Sequence, residues 1–199
     1  GRSTLIAAVC ERVHEERSDS RFLITSAQSC HRPFALIERL LRLRFDIPDY
    51  LGGTIAGERF ERAGEALFGD ATGAEVARTC GPMLGFHFWN EHDIDFEDRL
   101  EASRRASEAL HTLWVRDLGN APSVIVVDDA GEADAESLAF LAELRAELTA
   151  IPAVFVFAAN QRGTLRRSWL EGLETVDLEP LEPRTLRALA TTATTGLEG

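Results

Sequence analysis

The sequence predicts an α/β fold in which a parallel sheet carries helices on both faces. Three observations lead there. The runs Val124-Ile125-Val126-Val127 and Val154-Phe155-Val156-Phe157 are short and continuously apolar. Neither alternates apolar with polar residues, which is how strands buried on both faces of a parallel sheet read. The intervals around them carry helical periodicity, and helices alternating with buried strands build a parallel sheet through crossover connections.

The elements follow in order. Leu5, Ala8, Val9 and Val13 fall on one helical face after Ser3-Thr4. Arg21-Phe22-Leu23-Ile24-Thr25 reads as the first strand. A helix follows Pro33, with Phe34, Ile37, Leu40 and Leu41 on one face. The segment 46–119 interrupts the alternation. It holds helices near 58–68, 73–84 and 96–118, broken at Gly52-Gly53, Gly69 and Gly81-Pro82, and no strand. It reads as a helical insertion packed against one edge of the sheet.

Residues 120–199 resume the alternation. After the 124–127 strand and an acidic cluster at 132–136, Leu138, Leu141, Leu144 and Leu148 share a helical face. The 154–157 strand follows, then a weaker edge strand at Thr175-Val176-Asp177-Leu178. Pro183 opens a terminal helix with Leu186 and Leu189, as proline does in a first helical turn. The tail Thr191-Thr192-Ala193-Thr194-Thr195-Gly196 reads as frayed, or as the start of a further element.

Composition limits the function. A chain of 199 residues fits one α/β domain, large enough to bury roughly 70% of its unfolded surface without disulfides. No apolar run approaches the ~18 residues that span a bilayer. The start, Gly1-Arg2-Ser3-Thr4-Leu5, reads as neither signal nor transit peptide. A formal charge of -12 argues against a nucleic-acid reader, which needs cations to displace phosphate counterions. All 21 basic residues are arginines. Cys10, Cys30 and Cys80 stand apart with no metal spacing, so they read as thiols in a reducing cytoplasm. His87 and His92 have no cysteine cluster to join.

A phosphate-binding P-loop reads G-x-x-x-x-G-K-[ST] between a strand and a helix. Its backbone N–H groups wrap phosphates, its lysine reaches the β- and γ-phosphates and its hydroxyl holds Mg²⁺. Gly1-Arg2-Ser3-Thr4 fits the last four positions, with Ser3 as the Mg²⁺ hydroxyl. The earlier glycine and the strand before it would lie upstream of residue 1. Alone, the four residues read better as a helix start capped by Ser3. Val124-Ile125-Val126-Val127-Asp128-Asp129 adds a second signal, an apolar strand ending in acids. Such a Walker B element holds the metal, and strand carboxyl ends are where open α/β sheets bind ligands. The alternative for Asp128-Asp129 is a solvated strand end. Asn160, just past the next strand, stands where P-loop ATPases place a γ-phosphate sensor, or is a turn residue. Arg162 follows and suits a phosphate or an acidic neighbour.

This ordered set resembles the STAND class of signal-transduction ATPases, in the AAA+-like branch. More narrowly, it is similar to the ATPase module of large bacterial regulators that carry class III cyclase or LuxR-type DNA-binding domains. The likeness spans nearly the whole chain. Gly1 to Leu5 resembles the end of the P-loop, and Gly81-Pro82-Met83-Leu84-Gly85-Phe86 the P-x-L-G stretch of the insertion. Asp128-Asp129-Ala130-Gly131-Glu132-Ala133-Asp134, then Ser137-Leu138, resembles the Walker B tract. Asn160-Gln161-Arg162 and Asp177-Leu178-Glu179-Pro180-Leu181 fall at two further family positions. Two departures stand out. Arg2 replaces the P-loop lysine, and a planar guanidinium is no simple substitute for a compact ammonium. Gly131-Glu132 replaces a His-Trp pair.

The resemblance implies a P-loop NTPase sheet in the order 5-1-4-3-2, binding ATP and Mg²⁺. Gly1, Arg2, Ser3, Thr4 and Arg162 would contact nucleotide, and Ser3 and Asp128 would hold the metal. Asp129 would orient or deprotonate the attacking water, and Asn160 would sense the γ-phosphate. It further implies a cytoplasmic switch in signal transduction or transcription regulation. Its partners would be nucleotide and other domains of its parent regulator, with homo-oligomerisation allowed, and neither membrane nor direct nucleic acid. Rival readings are a pseudo-ATPase scaffold, favoured by Arg2, and a AAA+ motor, disfavoured by the charge and the lack of a basic stripe. A dinucleotide-binding enzyme is more distant, because no G-x-G-x-x-G follows a strand.

Overall fold

The computed structural model describes residues 2–89, 99–147, 151–160 and 173–179. Among these residues three strands, β1 (Arg21–Ser26), β2 (Ser123–Asp128) and β3 (Ala153–Phe157), form one parallel sheet in that order. The register places Leu23 beside Ile125 and Ile125 beside Phe155, and sets Ser26 beside Asp128. The chain is therefore mixed α/β, a small parallel sheet flanked by helices.

Side chains alternate along each strand, so the sheet has two distinct faces. Leu23, Ile125, Val127, Phe155 and Phe157 share one. Leu23, Ile125 and Val127 are buried there in the main core, with Leu36, Ile37, Leu40 and Leu41 of α2 (Ala35–Arg44) and Leu141 and Leu144 of α6 (Ala135–Glu147). The opposite face is half open. Ile24 is 49% exposed and Val154 57%. Helix α1 (Arg2–Glu16) meets this face where the His14 ring stands edge-on to Phe22, 6.0 Å between centroids.

That corrects two sequence expectations. Burial on both faces holds for much of the middle strand β2 and fails for β1 and β3. Each of these has a hydrogen-bonded neighbour on one side only among the described residues, so less apolar surface surrounds it. The apolar stripe of α1 also stays open, with Leu5 46% and Val9 48% exposed. A periodic stripe gives the helix but does not supply the surface that would cover it.

The described residues between 53 and 119 fold as α3 (Gly53–Phe68), α4 (Ala71–Leu84) and α5 (Arg99–Gly119). Helices α3 and α4 meet backbone to backbone. A Cβ on Gly64 would stand 2.3 Å from the Gly73 carbonyl oxygen, and one on Gly73 would stand 2.0 Å from that of Gly64. Phe60 stacks on Phe86 at 4.5 Å, and Trp114, Leu110 and Leu113 of α5 are fully buried around them. The break expected at Gly81-Pro82 does not occur. Both residues lie inside α4, which ends at Gly85 in the left-handed conformation (φ 87°). Packing overrides the local signal, since a Cβ on Gly81 would stand 2.6 Å from the Phe88 ring. Pro82 lies in the last turn of α4 and brings no backbone N–H to the Arg78 carbonyl one turn earlier, a loss the packing outweighs. The edge strand expected at 175–178 is also absent; Val176 is 80% and Leu178 50% exposed. The terminal helix and tail lie outside the described residues.

Two buried carboxylates lock the layers together. Asp117, 1% exposed in the last turn of α5, accepts from Arg21 Nη1 (3.0 Å) at the start of β1 and Arg44 Nε (2.8 Å) at the end of α2. This is where the helical segment grips the β1 edge. Asp134 stands in the acidic cluster just before α6. Its Oδ1 accepts from the backbone N–H groups of Phe34 and Ser137, both at 2.8 Å, and its Oδ2 from Leu36 at 3.1 Å. Ser137 Oγ accepts from Ile37 N at 3.2 Å. One side chain thus caps α6 and satisfies orphan donors at the start of α2. Asp134→Ala leaves those donors buried and unpaired, and is expected to cost about 2–4 kcal/mol in chemical denaturation. A loss below ~1 kcal/mol would mean that water takes over as acceptor.

Candidate functional site

The candidate site gathers at the carboxyl end of the sheet. Helix α1 starts there, and Ser3 in its first turn donates from Oγ to Asp128 Oδ2 at 2.8 Å. The two residues are 125 positions apart. The other carboxylate oxygen of Asp128 accepts from the backbone N–H of Asp129 at 2.8 Å. Both oxygens are therefore held, and the carboxylate is fixed toward the start of α1.

Backbone geometry around Asp128 is equally determined. Ala27 N donates to the Asp128 carbonyl at 2.8 Å, which continues the β1–β2 register past Ser26. Ala158 N donates to Val127 O at 2.9 Å, and Ala130 N donates back to Ala158 O at 2.8 Å. The exits of β1, β2 and β3 are stitched to one another. Between these bonds Asp129 takes the left-handed conformation (φ 51°, ψ 36°) before a short 3-10 turn at Ala130–Glu132. Asp tolerates this region better than most residues. The consequence is a sharp turn directly after the strand, with both acids half-buried.

The predicted site residues divide as follows. Ser3 and Asp128 touch, with Asp129 adjacent in the chain. Thr4 follows Ser3 in the first turn of α1 and is exposed. Arg2 begins that helix; its side chain, like Gly1 and Arg162, lies outside what is described. Asn160 is exposed three residues past β3 and hydrogen-bonds to none of the described residues.

A serine hydroxyl against a carboxylate is a set of hard oxygen donors. That suits Mg²⁺, which takes one or two protein oxygens and completes its octahedron with water and phosphate. The N-terminus of α1 brings positive potential to the same place, which favours an anion. The residues present therefore fit a Mg²⁺–phosphate group. Among the described residues no cluster of three or more His, Cys, Asp or Glu forms a self-sufficient metal cage. Thiol chemistry is disfavoured too. Burial pushes the Cys80 thiol up to about 12 and raises Cys10 and Cys30 as well, which keeps them from the reactive thiolate form.

Sequence reasoning missed a second polar site, a groove beside β1 lined by Arg32, Arg39 and Arg42. Arg39 and Arg42 lie on α2 and Arg32 before it, and only the fold turns them toward one space. Comparison with protein-family models, curated proteins and solved structures returns no match.

Proposed function

We propose that this chain is the nucleotide-binding core of a regulatory P-loop ATPase of the STAND type, a switch with slow or impaired hydrolysis. The observation that carries the reading is the Ser3–Asp128 hydrogen bond at 2.8 Å. Two motif fragments read separately from the sequence, a P-loop end and a Walker B strand, meet in space with the side chains that would share a metal. The parallel order β1-β2-β3 supports it, because it matches strands 2, 3 and 4 of the 5-1-4-3-2 sheet. Asp128 then ends the Walker B strand, and Asn160 follows the sensor strand.

The roles follow from chemistry. Backbone N–H groups at the start of α1 bind phosphate oxygens, and Arg2 adds a cation there. Ser3 and Asp128 hold Mg²⁺, which when bound neutralises charge on the phosphates. Asp129 orients or deprotonates the attacking water, Asn160 senses the γ-phosphate, and Arg162 contacts the nucleotide. Catalysis of this kind is positioning and electrostatics, so a displaced group slows turnover more than it weakens binding. The domain works in the cytoplasm, passing nucleotide state to other domains of its parent regulator, with homo-oligomerisation as one route.

The test is a thermal melt of the protein with and without Mg-ATP. At about 100 times its Kd a ligand stabilises by ~2.7 kcal/mol. At roughly 2–4 °C per kcal/mol, the expected rise is about 5–11 °C, dependent on Mg²⁺. No shift at millimolar ATP would sink the proposal. Arg2 favours a second reading, a pseudo-ATPase scaffold that has lost turnover. Arg2→Lys separates the two: restored hydrolysis supports a switch impaired at one position, and no gain supports the scaffold.

A further inference from the structure

A groove of ≈ 470 Å³ opens beside the turn that follows β1, outside the Ser3–Asp128 pair. Arg32, Arg39 and Arg42 line it, with Ser29 and His31 at the turn and Glu38 and Asp49 as its acids. Three guanidiniums against two carboxylates leave an excess of positive charge before His31 is counted. In a chain of net charge -12 this is an unusual local balance.

The charges are not equally committed. Glu38 is engaged by both neighbours: Arg32 pairs with its Oε2, and Arg42 Nε pairs with its Oε1 at 2.7 Å. Arg42 also donates to the carbonyls of Pro48 and Leu51 and lies over the Phe86 ring. Arg39 differs. Its Nη1 donates to the carbonyls of Ser26 and Gln28, 3.0 Å to the latter. No carboxylate lies within ion-pair distance of it among the described residues. A guanidinium has five donors, and the described residues use one nitrogen of this one.

Arg39 is half-buried, where an uncompensated charge is costly. It also walls a second groove of ≈ 290 Å³ together with Arg42 and Asp49. The start of α2 is not the attraction here, because its N–H groups are already taken by Asp134 and Ser137. What remains is a planar fork facing a polar space, with Arg32, the Ser29 hydroxyl and His31 around it. Arginine forks match tetrahedral and planar oxyanions by paired N–H···O bonds.

We propose that the groove lined by Ser29, His31, Arg32 and Arg39 binds the phosphate group of a small molecule, at a site separate from Ser3 and Asp128. A phosphate carries enough charge and enough acceptors to answer the surplus cation and the unused Arg39 donors. The volume lies within the range of small-molecule sites. Free phosphate and a phosphate monoester share this chemistry.

Isothermal titration of the full chain with inorganic phosphate and with ribose 5-phosphate tests it. Both bind the unaltered protein under the proposal; tighter binding of the ester identifies an organic phosphate as the ligand, and equal binding identifies free phosphate. Arg39→Gln weakens binding at least ~10-fold, the effect of losing charge-assisted bonds. His31→Asp does the same by repulsion, and His31 is exposed, so that variant keeps the fold. Binding here needs no Mg²⁺, which sets it apart from the Ser3–Asp128 site. The proposal is overturned if neither ligand binds at 10 mM, roughly the weakest contact worth calling a site. It is also overturned if His31→Asp binds like the unaltered chain, or if chelating Mg²⁺ with EDTA abolishes binding.

Discussion

Asp128→Asn is expected to abolish the Mg²⁺-dependent stabilisation by ATP and to lower any ATP turnover by at least ~100-fold, the scale of losing one electrostatic contact in phosphoryl transfer. The fold should tolerate the change. An amide oxygen still accepts one of the two bonds that Asp128 now takes from Ser3 Oγ and Asp129 N. What disappears is the charge, and charge is what a divalent cation needs from this position. Melting without ligand should move by only a few degrees, while the increment due to Mg-ATP vanishes. An unchanged increment in the variant would remove Asp128 from the metal site and take the central support from the ATPase reading.

Asp117→Ala should produce the largest loss of stability. The carboxylate is 1% exposed and pairs with Arg21 at 2.9 Å and Arg44 at 2.7 Å, both themselves largely buried. Arg21 also donates to the Asp117 carbonyl and to Ser123 Oγ. Removing the acid leaves two guanidiniums facing each other with little water to separate them. Breaking a buried pair in this way costs about 3–5 kcal/mol. Urea denaturation measures it directly. A loss under ~1 kcal/mol would mean that the arginines swing out to water and that the triad contributes position rather than stability. Desolvation already lowers the Arg21 pKa, with Arg44 adding to it against the pull of Asp117, so the site is poised to suffer when its acid is lost.

Local pattern carried much of the architecture. The apolar runs at 124–127 and 154–157 gave β2 and β3, and the 21–25 run gave β1, because β-branched and aromatic residues without alternation fit a pleated, covered surface. Helical periodicity gave α2 through α6, with Gly69 ending α3 in the left-handed conformation (φ 83°). Errors came where context outweighed pattern. Gly81-Pro82 looks like a break, yet Phe88 needs the missing Cβ and the helix runs through. The Thr175–Leu178 run looks like an edge strand, yet those residues form none.

The amino-acid sequence by itself determined the strands, most helices and the acidic end of β2, since these rest on interactions within a few residues. It also held the two motif fragments at Ser3 and Asp128, but not their meeting. Tertiary structure alone decided that contact across 125 residues, and the half-open second face of the sheet. It also placed Arg21 and Arg44 on Asp117, and left Arg39 with no acid in ion-pair reach among the described residues. Each depends on which surfaces the chain brings together, and burial and ion pairing are properties of surroundings that no short stretch of residues specifies.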